Sequence, residues 1–336
     1  IASSLVGSEM CIRDRNRHKD QKLIRYIISL CGFSFVIPSI LIVFSVIKIF
    51  GYNGILNKYF KFYEFISIDS IYGLKAILIA HVLLNTPFAT RLFVQNLNNI
   101  PKNYYEISES INLSFFGNIF KLEIPIIRQS LFAIFSIIFS LCFLSFAIVM
   151  ALGGSPKNST LEVAIFQYAL FDLNFNKAVI LSFVQIIICI IFVFIGFYKF
   201  KGSNFFEIGS IKYKHPHKNK ILIKLIDYFL IVFFSIFLFS PVILLYSEFL
   251  KSIFFEIELT FTFIHALINS ILISLSTGVV VSIFGLLISY LLVINHKNFL
   301  LQQLLFLTSS LILIISPSIF SLGYFIFFQP IIHYSY

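Results

Sequence analysis

Asn103-Tyr104-Tyr105-Glu106-Ile107-Ser108, running on through Asn112 to Leu122-Glu123-Ile124-Pro125, is the stretch on which the reading of this chain turns. It lies between two long apolar segments and reads as two short helices joined at Asn112. Pro101 suits a first helical turn, where a missing N–H costs nothing. Tyr104, Ile107 and Ile111 fall on one face of the first helix, with Glu106 and Glu109 on the other. The break asks for a positive φ, which Asn tolerates better than any residue except Gly. Pro125 is expected to restart a helix that becomes a membrane span. On pattern alone, an ordinary amphipathic loop fits these residues as well.

Around that stretch the chain is mostly membrane. Its 336 residues are 59% hydrophobic, 18% aromatic and 12% charged, with a mean hydropathy of +0.95. No water-soluble core needs so much apolar sequence, which makes this an all-α polytopic membrane protein. Seven segments are long enough for a bilayer, at roughly 20 helical residues each. They cover 25–50, 71–97, 125–152, 177–198, 223–247, 265–294 and 299–328, with Pro38, Pro87, Pro241 and Pro317 expected inside spans.

A net charge of +10 invites a nucleic-acid reading, but the basic residues cluster between apolar segments, as membrane topology requires. Arg17, Lys19, Lys22 and Arg25 precede the first span. The loop after the fourth carries Lys199, Lys201, Lys212, Lys214, Lys218, Lys220 and Lys224 against Glu207 alone. Alternation then places the N-terminus, the Glu106 loop and the basic linker 201–222 in the cytoplasm, and 51–70, 153–176 and 248–262 outside.

Other chemistries find little support. Cys11, Cys31, Cys142 and Cys189 form no CxxC, and His215-Pro216-His217 sits in a lysine-rich loop, so no metal site is indicated. Gly153 to Thr160 has the residues of a phosphate loop without its spacing, and reads as a turn followed by a capping box from Ser159 to Glu162 that opens an interfacial helix. No HExxH or GxSxG occurs, and no Asp or Glu falls in the middle of a predicted span. That absence argues against a proton-coupled carrier or cation channel, the alternatives from a different class. His81 and Asn85, one turn apart in the second span, either face a translocation path or bond backbone near the Pro87 kink. Arg91 and Gln95, nearer the cytoplasmic end, read as braces for the loop. Residues 1–15 resemble translated sequencing-adapter read-through, or else a short basic tail.

The Glu106 stretch resembles the EAA loop of ABC importer permeases. Glu106 stands for that motif's Glu, Asn112 for its Gly, and Leu122, Ile124 and Pro125 for its apolar-x-apolar-Pro end, while Ile107 and Ser108 replace two alanines. The resemblance implies a type I importer permease (MetI-like) fold and a coupling loop, 98–125, that docks on an ATPase subunit through Tyr105, Glu106, Ile107, Ser108, Asn112, Leu122, Ile124 and Pro125. Flanking strings are similar to thiamine importer permeases in particular: Tyr72-Gly73-Leu74, Ala80-His81-Val82, Asn85-x-Pro87, Ala89-Thr90-Arg91, Cys142-Phe143-x-Ser145-Phe146-Ala147, Leu152-Gly153-Gly154-x-Pro156 and Thr160-Leu161-Glu162-x-Ala164-Ile165-x-Gln167.

The similarity implies a path that includes His81, Asn85, Phe143, Ser145 and Phe146. It implies two copies of an ATPase subunit that hold the ATP, a periplasmic binding protein, no cofactor on this chain and an inner-membrane location. Thiamine or its phosphates is the expected cargo, with ferric iron as the alternative. Because the family's first coupling loop follows the fourth span, the chain is expected to be an internal fragment: 16–200 most of one half, 223–336 the truncated start of the other.

Overall fold

The computed structural model describes residues 29, 31–32, 37–60, 72–98, 100, 102–154, 158–198, 221–253, 261–294 and 311–333. The 1–15 tail, the basic linker, His215, His217 and the basic residues before the first span lie outside them. The described elements are helices and turns, with no strand. In chain order the helices are α1 (Ser39–Phe50), α2 (Ile55–Phe60), α3 (Leu74–Asn98), α4 (Lys102–Ser110), α5 (Phe115–Asn118), α6 (Ile124–Phe143), α7 (Ala147–Leu152), α8 (Leu161–Leu170), α9 (Phe175–Tyr198), α10 (Ile221–Ile253), α11 (Phe261–Ile294) and α12 (Pro317–His333). Among the described residues four helical segments are long and apolar enough to cross a membrane, or five if the bent pair Ile119–Arg128 and Ser130–Phe143 is one span. The expected seven therefore has four or five counterparts here.

Two of the four expected intraspan prolines begin helices instead. Pro38 is the N-cap of α1. Pro317 opens α12 one residue after Ser316, whose Oγ accepts the Ile319 N–H at 3.2 Å. A capping hydroxyl followed by proline is a strong helix start, so 299–328 is not one unbroken helix. Pro87 and Pro241 do lie inside helices.

The chain forms two compact units, Ile1–Leu245 and Tyr246–Tyr336. In the first, Ile42, Val43 and Val46 of α1 pack with Ala76, Ile77, Ala80 and Leu83 of α3, with α7 and with Val163 of α8. Lipid is as apolar as these side chains, so close approach rather than water exclusion holds such helices together. The α6–α9 crossing illustrates this. A Cβ on Gly196 would stand 2.5 Å from Ser136 Cβ, and Ser136 Oγ donates to the Phe192 carbonyl at 2.7 Å. Near the start of α3, Gly73 takes φ 96 and donates its N–H to the Leu152 carbonyl at 2.8 Å. In the second unit α11 is 34 residues long and has no buried residue.

Candidate functional site

The loop after α3 is built from local signals. α4 ends at Ser110, and Asn112 takes φ 51. Leu113 N–H then reaches back to the Ser108 carbonyl at 3.1 Å. A left-handed residue followed by that six-to-one bond is a Schellman stop with Asn in the place usually taken by Gly. Ser114 starts the next helix, its Oγ accepting the Gly117 N–H at 3.1 Å.

Two of the residues expected to dock, Tyr105 and Ser108, turn inward on α4. Both are buried, and Tyr105 joins Ile100 and Leu122 in a small core against Leu97 and Ile126. Tyr105 Oη also donates to Glu123 Oε1 at 3.3 Å. Tyr104, Ile107 and Ile111 therefore stand outward, 53%, 60% and 62% exposed, and Glu106 is exposed as well. The α4 periodicity held, but two inward positions between the apolar ones supply the packing.

Pro125 does not restart a helix. The chain is already helical from Phe115, passes through a π-helical turn at Ile119–Glu123 and continues into α6. Proline lacks the N–H and crowds the carbonyl four residues back, so a wider turn before it resolves the conflict. Leu122 is buried, whereas Ile124 and Pro125 are exposed. A 54° bend separates Ile119–Arg128 from Ser130–Phe143. Asn118, just before the π turn, is fully buried, and neither of its amide atoms has a hydrogen-bond partner among the described residues. No signal in the sequence marked it.

Several polar residues of the bundle lie near the middle of its helices. Asn85, midway along the 25-residue α3, donates Nδ2 to Cys142 Sγ on α6 at 3.3 Å. It thus serves a neighbouring helix rather than the backbone at Pro87. His81 is half-buried, with Nδ1 unpartnered among the described residues. Phe143, Ser145 and Phe146 are half-buried where α6 breaks before α7, so the predicted span 125–152 is two helices. Arg91 is exposed and Gln95 half-buried; α3 meets the loop core through Leu97.

The expected capping box is absent. Thr160 is the N-cap of α8 and makes no side-chain cap bond. Glu162 turns inward instead, where its Oε2 accepts Gln185 Nε2 at 2.7 Å, with both residues fully buried. Gln185 lies near the middle of the 24-residue α9. A carboxyl therefore packs against the middle of an apolar helix, brought there by the short helix α8. The sequence signal was available: Glu162 opens a ten-residue helix too short to cross on its own. Among the described residues no group of three His, Cys, Asp or Glu side chains is placed to hold a metal.

A family profile described as "Binding-protein-dependent transport system inner membrane component" matches residues 15–201. Over 220 residues the chain is 34% identical to the thiamine transport system permease protein ThiP of Haemophilus influenzae, covering 65% of this chain and 40% of that protein. It is 32% identical to the protein of the same description from Salmonella typhimurium over 170 residues, 51% of this chain and 32% of the relative. For Escherichia coli the figures are 32% over 164 residues, 49% and 31%. The chain thus spans 40% or less of the length of these relatives. No solved structure matches it.

Proposed function

The chain belongs to the binding-protein-dependent transport system inner membrane components, and from that membership we propose that it is the membrane-spanning part of an ATP-driven importer for thiamine or its phosphate esters. The observation that carries the reading is α4, which presents Tyr104, Ile107 and Ile111 outward beside Glu106 on a firm backing of Ile100, Tyr105 and Leu122. An apolar stripe held rigid at the membrane edge suits docking onto a soluble subunit.

On this reading the chain performs no chemistry and binds no cofactor. A periplasmic binding protein delivers cargo, two ATPase subunits bind ATP, and their closure moves α4. Tyr105, Leu122 and Glu123 pass that motion to the π turn and α6. The flip is driven by the difference in docking free energy between the two states of the bundle. Arg91 and Gln95 brace the cytoplasmic end of α3, while His81, Asn85, Phe143, Ser145 and Phe146 border the path.

Thiamine as cargo draws support from the description of the relatives and from the aromatic side chains along α6, where Phe139 stacks on Phe192 at 3.8 Å and on Phe143 at 5.3 Å. Ring faces of this kind hold flat organic cations weakly. The test is growth of a strain that neither makes thiamine nor imports it. The full-length gene with its ATPase and binding protein restores growth on trace thiamine; rescue of an iron-uptake mutant instead assigns the transporter to ferric iron.

The same reading places α4 in the cytoplasm, motivated by the lysine-rich segment after α9. A single cysteine at position 110 stays unlabelled by an impermeant thiol reagent in intact cells and reacts once the membrane is opened. Labelling in intact cells reverses the orientation.

A further inference from the structure

The mid-depth carboxyl has a setting that docking and coupling leave unused. Glu162 spends one oxygen on Gln185, and its other oxygen, Oε1, has no hydrogen-bond partner among the described residues; the same holds for Gln185 Oε1. Both leftover atoms are oxygens with room for a further partner, and an N–H donor on a bound molecule would supply one. One turn along α8, on the face that carries Glu162, stands Phe166. Its ring lies 4.6 Å from that of Phe146, at the break between α6 and α7. Ring faces together with a dry carboxyl are the features by which proteins recognise organic cations. Burying a lone carboxylate is costly, and a bound cation offsets that cost.

Depth points the same way. Gln185 is near the middle of α9, about 15 Å from one end and about 20 Å from the other at 1.5 Å per residue. A cation crossing the membrane is least stable there, where water is furthest and the dielectric lowest. A carboxyl at that level lowers the barrier most.

We infer that Glu162, held by Gln185 and one turn along α8 from Phe166, whose ring packs on Phe146, is a transient intramembrane subsite for an organic cation bearing N–H donors. The inference rests on the cargo reading above and extends it to named residues.

The test reconstitutes the full-length permease with its ATPase and binding protein in liposomes, counting radiolabelled thiamine taken up per ATP hydrolysed. Glu162→Gln retains an acceptor for Gln185 Nε2 while replacing the acid's other oxygen with an amide donor. Thiamine moved per ATP then falls at least about tenfold, and Phe166→Leu lowers it about threefold. A pair that merely fastens α8 to α9 leaves Glu162→Gln at the wild-type ratio, and that result overturns the inference. If the Glu162→Gln protein does not reach the membrane, Phe166→Leu decides alone, a wild-type ratio again overturning it. No thiamine uptake by the wild type brings down the cargo reading and this inference with it. Wild-type uptake with both variants unaffected brings down the inference only.

Discussion

Polar side chains are satisfied differently in the loop between α3 and α6 and between the helices of the bundle. In the loop the partners are mostly near in sequence: Ser108 Oγ bonds a carbonyl three residues back, Ser110 Oγ one four residues back, and Ser114 caps three residues ahead. In the bundle three bonds reach across to another helix, over 57 residues for Asn85 and Cys142, 56 for Ser136 and Phe192, and 23 for Gln185 and Glu162. The loop is bathed in water and needs only short-range capping to fix its shape. Inside the bundle, hydroxyls such as Ser45 and Ser182 bond a carbonyl four residues back in their own helix, whereas amide and carboxyl side chains must reach another helix or stay unsatisfied. The loop's shape is thus a property of its own sequence, whereas the mid-depth arrangement exists only when the helices assemble.

The strongest break of that comparison is at the α6–α9 crossing. Leucine at Gly196 adds a side chain where even a Cβ would stand 2.5 Å from Ser136 Cβ and 3.0 Å from the Phe132 carbonyl oxygen. The crossing must open, which severs the bond from Ser136 to Phe192. Overpacking of this kind costs about 1–3 kcal/mol or more. Gly196→Leu is expected to lower the melting temperature of the detergent-solubilised full-length protein markedly and to reduce its yield. A variant as stable as wild type shows that the helices do not depend on this approach.

That contrast also decides what the sequence could disclose. The positive φ at Asn112 was legible because a single residue type and its neighbours set it. So were the apolar helices, whose length is a property of composition. The Ser159–Glu162 spacing reads as a capping box because it is local, whereas Gln185, the residue that Glu162 actually meets, is remote in sequence. The outward stripe of α4 was legible as periodicity, but its orientation depended on Leu122 and Ile100 arriving from either side. The π turn before Pro125 arises from a conflict between proline and a continuing helix, and no single residue announces it.

A second prediction sharpens the loop side. Glu106 lies exposed on α4, beside the outward stripe proposed to dock. Glu106→Lys in the full-length transporter is expected to cut uptake at least about tenfold, because a reversed charge opposes docking where the wild type favours it. Its melting temperature stays within a few degrees of wild type, as for other exposed substitutions. Wild-type uptake removes α4 from the coupling route. A large drop in melting temperature instead shows that Glu106 holds the loop together, which contradicts its exposure.

The smallest effect concerns Asn112, where the comparison makes its most local claim. If the loop's shape is set by its own residues, Asn112 matters through its φ of 51 and the Leu113-to-Ser108 bond that this backbone permits. Glycine relaxes that position and valine strains it, since a left-handed backbone costs a side-chain-bearing residue about 1–2 kcal/mol, and a β-branched one most of all. Asn112→Gly is therefore expected to keep wild-type uptake. Asn112→Val is expected to lower uptake a few-fold while the bundle's melting temperature stays close to wild type, because the strain falls on a loop outside the packed helices. Limited proteolysis between α4 and α5 reads the difference directly, with faster cleavage in the valine variant than in the glycine one. Equal cleavage and equal uptake for the two would mean that packing of Tyr105 and Leu122, not the Asn112 turn, fixes the angle between α4 and α5.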